Sequence, residues 1–291
     1  MQQQESCVIP ISTNQCHAQE NIFCFYTMIR LVWFPKARFR STVTIITFLQ
    51  IFVYVFSLLY DLNWNYSELL APSQKSLFNL GEKYPYFISE NHEVYRIFTS
   101  PFLHANLHHL IITILSNYSI SAYVEDFLGK KHFLFLIFFG CASASIFSSL
   151  LSDDPGVGGS FIAIVCGGCL GGLELFYSRA ESKRKIVTEK SKLYFIITNK
   201  MKEFNFVLIF FGLLNGLIPA SSKNIDNYGV LGASLHGYMI GFLIGTRDKY
   251  FYPDNTQFIS FSVKKTMIIM IFFFVLIIEY SIFFNLRKPE I

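Results

Sequence analysis

Polar and ionisable side chains are sparse in this chain, and three of the places where they gather open apolar runs. The first is Phe102-Leu103-His104-Ala105-Asn106-Leu107-His108-His109, with Thr113 following. The second is Gly156-Val157-Gly158-Gly159-Ser160, and the third is Asp226-Asn227-Tyr228-Gly229 with His236 beyond it. A serine at a helix start could act as a nucleophile if an imidazole stood near enough to take its proton, because a hydroxyl is weakly nucleophilic at neutral pH. Backbone amides and side-chain donors around it could hold a developing oxyanion. A Gly-rich turn ending in Ser is also an ordinary helix start, so Ser160 alone would carry little. Three polar helix starts together carry more.

The elements that must position them are membrane helices. Of the 291 residues 52% are hydrophobic, 33 are Phe and only 15% are charged, against roughly a quarter charged in soluble domains. Apolar runs of about 20 residues recur, the length that crosses a bilayer core as a helix. Seven spans are expected, at about 42–60, 106–124, 132–151, 158–177, 204–218, 229–246 and 266–284. They divide the chain into an N-terminal segment (1–40), a membrane domain (41–285) and a short tail (286–291). The polar start, with Gln2, Gln3, Gln4 and Glu5, has no signal-peptide core, so the first run is expected to be an uncleaved anchor. The 61–103 connection is long and rich in apolar side chains, and is expected to be partly helical and to lie in the membrane interface.

Basic residues set the orientation. Arg30, Lys36, Arg38 and Arg40 precede the first span; Lys130 and Lys131 lie between the second and third. A run from Arg179 to Lys202 separates the fourth and fifth, and Arg247 and Lys249 follow the sixth. With seven alternating spans all four groups fall on one side, which puts the N-terminus in the cytosol. The second, fourth and sixth helices then all run inward from the outer face. His109, Ser160 and the Gly229 region share one depth near that face.

Six cysteines do not form a secreted disulfide framework. Cys166 and Cys169 form a CxxC inside an apolar run, where a buried structural role is expected. The net charge of +4 marks no basic face, so no nucleic-acid partner is implied, and neither is a metal or cofactor.

Together these motifs resemble the rhomboid family of intramembrane serine proteases. Glu93-Val94-Tyr95-Arg96-Ile97-Phe98-Thr99 is similar to the family's Trp-Arg loop signature, with Tyr95 in place of Trp. The likeness continues through His104-Ala105-Asn106 and His109 to Glu125 and Gly129, then through Gly158-Gly159-Ser160. It ends with Asp226 to Ala233 and the glycines Gly237 and Gly241. It implies an all-α polytopic bundle of six core helices plus a C-terminal seventh. By resemblance, Ser160 is the nucleophile and its backbone N–H an oxyanion donor; His109 is a second donor and Thr113 takes the place of an asparagine. Such donors contribute about 3–4 kcal/mol each. Phe161 stands where the family prefers a small residue.

The sixth helix departs further. Counting to Gly232, Gly237 and Gly241 places Val230 at the position of the base, and valine accepts no proton. His236 would have to substitute, yet six residues along a helix is about 9 Å of rise and roughly 120° of rotation. Its alternative role is a helix contact or a place at the lipid interface. Glu279 is expected to be exposed at the outer end of the last span, and the four-residue glycine spacing to permit close helix packing.

Two functions follow. In one, a catalytically inert rhomboid binds transmembrane segments of client proteins within the lipid bilayer. In the other, an active serine endopeptidase uses Ser160 with His236 as a displaced base. A transporter or channel would need more charges deep in the helices. The glycine faces also allow a homodimer. The six-plus-one layout implies the secretory pathway or plasma membrane rather than the mitochondrion.

Overall fold

The computed structural model describes residues 40–61, 69–182, 225–245 and 279. The spans expected at 204–218 and 266–284, apart from Glu279, and the segment before residue 40 lie outside the described residues. Among the described residues the structure is helical, with only isolated β-bridges besides.

Helix α1 (Thr42–Tyr60) coincides with the first expected span. Ser41 caps it by accepting from the Thr44 amide, and the Glu125 carboxylate accepts from the Thr42 and Val43 amides at 2.7 and 2.9 Å. These bonds satisfy donors that every helix start leaves open. The polarity of α1 is inverted relative to a soluble protein. Phe48, Phe52 and Leu59 are 59–66% exposed, while Thr47, Gln50 and Ser57 are at most 2% exposed. In water that arrangement would lose the hydrophobic gain. Against lipid tails it is the stable one, because polar groups must find partners inside the protein.

Among its described residues the 61–103 connection holds three short helices, α2 (Gln74–Asn79), α3 (Pro85–Ser89) and α4 (Arg96–Thr99), and then a 3₁₀ turn at Ser100–Phe102. Arg96 ties them together. Its Nη1 donates to the Phe78 and Glu82 carbonyls at 2.8 and 3.1 Å, its Nε donates to Glu93 at 2.6 Å, and its guanidinium lies 4.4 Å from the Phe78 ring centre. Arg96 is thus buried with its charge paired and with Nε and Nη1 hydrogen-bonded, as burial of a charge demands.

Helix α5 (Leu107–Ser116), a π-helical turn (Asn117–Ser121) and α6 (Ala122–Leu128) form one path through the second expected span. Gly129, at φ 76°, ends it and starts α7 (Lys130–Leu151). Helices α1 and α7 are each long and apolar enough to cross a membrane. Next come α8 (Phe161–Ser182) and α9 (Asn227–Gly245), packed in parallel. A methyl group added to Gly172 would fall 2.0 Å from the Tyr238 carbonyl oxygen, and one added to Gly237 would fall 2.2 Å from that of Val165. The two backbones therefore touch, which only glycine allows. Cys141, Cys166 and Cys169 are buried free thiols of the core around this contact.

The connection also carries a titratable group. Glu82 is buried beside Arg96 and accepts from Gln74 Nε2 at 2.6 Å. Burial pushes its carboxyl up from 4.5 to about 7, against the lowering fields of Arg96 and Lys83. The folded state therefore binds this proton more tightly than the unfolded chain, and Glu82 lowers stability as pH climbs through that interval. Glu82→Gln should stabilise the protein near pH 8 and have little effect near pH 5, measured by thermal unfolding in detergent. An equal effect at both pH values would show that Glu82 does not titrate in this interval.

Candidate functional site

Ser160 stands immediately before α8, at the end of a turn held by backbone and side-chain hydrogen bonds. The Gly158 amide donates to the Ser100 carbonyl at 2.9 Å and the Phe161 amide to the Gly158 carbonyl at 2.8 Å. Gln50, from the middle of α1, donates through Nε2 to the Gly159 and Pro101 carbonyls at 2.9 and 3.2 Å and accepts from Asn117 Nδ2 at 2.9 Å. Gly159 has no room for a side chain: a Cβ there would lie 2.5 Å from His104 Nε2. Ser160 is 7% exposed, and its Oγ has no hydrogen-bond partner among the described residues.

Asn106 caps α5 by accepting from the His109 amide at 2.9 Å. The Ala105 amide approaches His109 Nδ1 at 3.4 Å, which makes Nδ1 the acceptor and leaves the proton of the neutral ring on Nε2. Thr113, one turn deeper, is buried, and its Oγ1 has no partner among the described residues. His104 packs against His109, with ring centres 5.1 Å apart. Ser160, Thr113 and His109 thus bring hydroxyl and N–H donors into the same buried region of the fold.

The base side is different. His236 Nδ1 lies 2.8 Å from the Gly232 carbonyl, its Nε2 lies 3.3 Å from Glu279 Oε2, and its ring meets Phe147 of α7 edge-on. Both ring nitrogens therefore have partners other than Ser160. His236 is a helix-contact residue joining α9 to α7 and to Glu279. The expected exposure of Glu279 is corrected here: its side chain is 13% exposed and turned to His236.

Register explains the turn of His236. Val157 bridges Ile225 in parallel above Ser160, and Gly237 meets Val165 below it. Between those limits the α8 side of α9 consists of Gly229, Val230, Ala233 and Ser234, none of which is a base at neutral pH. Gly237, Gly241 and Gly232 are all close contacts, the first two on α8 and the third on Phe147. Phe161 fills the remaining space. Methyl groups at Gly158 and Gly229 would lie 2.4 and 2.0 Å from its ring, so the ring is wedged between the Ser160 turn and the start of α9.

A buried ion pair that sequence reasoning missed anchors this region. Lys83 exchanges two backbone hydrogen bonds with Gly156, at 3.0 and 2.9 Å, and its Nζ reaches Asp226 at 3.0 Å and Ser148 Oγ at 2.6 Å. Asp226 also accepts from Ser148 and, at 2.9 Å, from the Gly229 amide that begins α9. One lysine of the connecting segment so joins the serine turn, α7 and α9. Lys83 stands beside Glu82 in a mixed polar and apolar stretch, and no spacing rule pairs it with a residue 143 positions away.

The Rhomboid domain family model matches residues 91–247. The chain belongs to the rhomboid family. It is 27% identical over 189 residues to RHOMBOID-like protein 1 of Arabidopsis thaliana, covering 64% of this chain and 43% of that relative. It is 30% identical over 102 residues to Inactive RHOMBOID-like protein 8 of the same plant, covering 34% and 29%. It is 34% identical over 106 residues to Rhomboid-like protease 2 of Toxoplasma gondii, covering 36% of each. These matches span less than half the length of each relative. Rhomboid membership makes the chain an integral membrane protein, in a family with both protease and inactive members.

Removing one partner of the Lys83–Asp226 pair leaves a buried charge unpaired. Lys83→Met should therefore cost about 3–5 kcal/mol. Adding Asp226→Asn should recover most of that loss, since asparagine still accepts from the Gly229 amide while carrying no charge. Unfolding of the single and double variants in mixed micelles reads this directly, and purely additive losses would refute the coupling.

Proposed function

We propose that this rhomboid is a pseudoprotease that binds transmembrane helices of client membrane proteins without cutting them. The observation that carries the reading is the absence of an imidazole on the α9 face opposite Ser160, where Gly229, Val230, Ala233 and Ser234 stand while His236 is turned to Gly232 and Glu279. A serine without a base loses the general-base contribution, typically 10²–10⁴-fold in rate. Phe161 supports the same reading, because its ring occupies space beside the serine that an incoming peptide bond would need.

The four basic segments favour a cytosolic N-terminus with the serine near the outer face. The layout suits the secretory pathway or plasma membrane.

An active intramembrane endopeptidase is the second reading. It is favoured by the buried Ser160 Oγ, which has no partner among the described residues, and by retention of His109. In that case His236 would have to leave Glu279 and rotate toward α8.

Reconstituted full-length protein should fail to cleave a single-span substrate that an active rhomboid cuts alongside it. A fluorophosphonate probe should label wild type no more than Ser160→Ala, because only an activated hydroxyl reacts. A client helix carrying a photo-crosslinker should be captured equally by both proteins. Cleavage or labelling that disappears in Ser160→Ala would establish the protease, and loss of capture would remove the binding role.

A further inference from the structure

A cavity of about 360 Å³ lies where α1, α6 and α7 meet, at the far end of the α5–α6 path from His109. Arg40, Ser41, Glu125, Asp126 and Lys130 contribute to its lining. Its depth follows from its neighbours. Helices α1 and α7 both begin their long apolar runs here, at Thr42 and Lys130, so the cavity sits at one edge of the hydrocarbon layer. Phospholipid phosphates occupy that level.

The charges in the cavity are unevenly committed. Both oxygens of Glu125 are taken up by the Thr42 and Val43 amides, so this carboxylate is spent on the helix start. Lys130 Nζ donates to the Arg40 carbonyl at 3.2 Å, which draws the two basic residues to the same rim and leaves two ammonium protons for another acceptor. Arg40 and Lys130 are exposed, and neither has a carboxylate at ion-pair distance among the described residues. Gly129 leaves the floor open, since a side chain there would meet nothing within 4 Å. Asp126 is the exposed acid of the rim.

We propose that this cavity binds a phosphate ester, the headgroup of an anionic phospholipid, clamped between Arg40 and Lys130. A guanidinium supplies paired N–H donors that match two phosphate oxygens, and the ammonium adds a point charge beside it. Basic pockets between membrane helices at the headgroup level hold such groups. The site is independent of whether Ser160 is catalytic.

Delipidated full-length protein in neutral detergent would be titrated with dioleoyl phosphatidylglycerol, dioleoyl phosphatidylcholine and soluble glycerol 3-phosphate. Thermal stability and lipid retention by native mass spectrometry are the readouts. Phosphatidylglycerol should stabilise the wild type more than phosphatidylcholine does. Arg40→Gln with Lys130→Gln should weaken its retention on the order of twentyfold, from the usual weight of two interfacial basic residues. Lys75→Gln, on a distant helix, should bind as wild type. Asp126→Asn should raise affinity by removing the acid of the rim, and this variant keeps the test decisive if the double substitution fails to fold. Equal stabilisation by glycerol 3-phosphate would keep the site and make its ligand a soluble ester. Unchanged phosphatidylglycerol binding in a folded Arg40→Gln/Lys130→Gln protein, or no gain in Asp126→Asn, would overturn the proposal.

Discussion

The backbone contact between α8 and α9 is the constraint on which the rest of the site depends. Where Gly168 and Gly172 on one helix and Gly237 and Gly241 on the other bring main chains together, neither helix can slide or rotate without a clash. In lipid there is little hydrophobic drive to press helices together, so this close packing supplies the attraction and also sets the register. The register decides what faces Ser160. With Gly237 on Val165, the side chain one residue earlier points away from α8, and that side chain is His236.

Around this pair the protein is built inside out. The faces of α1 and α7 that meet lipid carry Phe48, Phe52, Leu134 and Phe138, while Thr47, Gln50, Ser143, Ser145 and Ser148 turn inward. Those inward groups form the bonds that hold the serine turn. Gln50 fixes the Gly159 carbonyl from one side and Lys83 fixes Gly156 from the other. The connecting segment is therefore a structural part of the site, with Arg96 organising its inner bonds and Lys83 its attachment.

The chemistry that results is lopsided. His104 links the two sides, lying against Gly159 of the serine turn and against the His109 ring. An acceptor for the serine proton is missing from the facing helix, and the Phe161 ring fills the gap. The family contains members named as proteases and members named as inactive, and the same scaffold serves both.

The sequence by itself determined the membrane class and the three polar helix starts. Long apolar runs, a Gly-Gly-Ser turn and a His-Ala-Asn cap are local signals, written in neighbouring residues. Glycine spacing along one helix can also be counted, and that count put Val230 at the base position as an expectation. Only the tertiary structure decided which way His236 turns, that Glu279 is its partner, and that Phe161 closes against Gly158 and Gly229. The Lys83–Asp226 pair likewise became visible only in space. These are pairings across distant parts of the chain, chosen by which buried charges and rings must share one volume, and no local pattern encodes that choice.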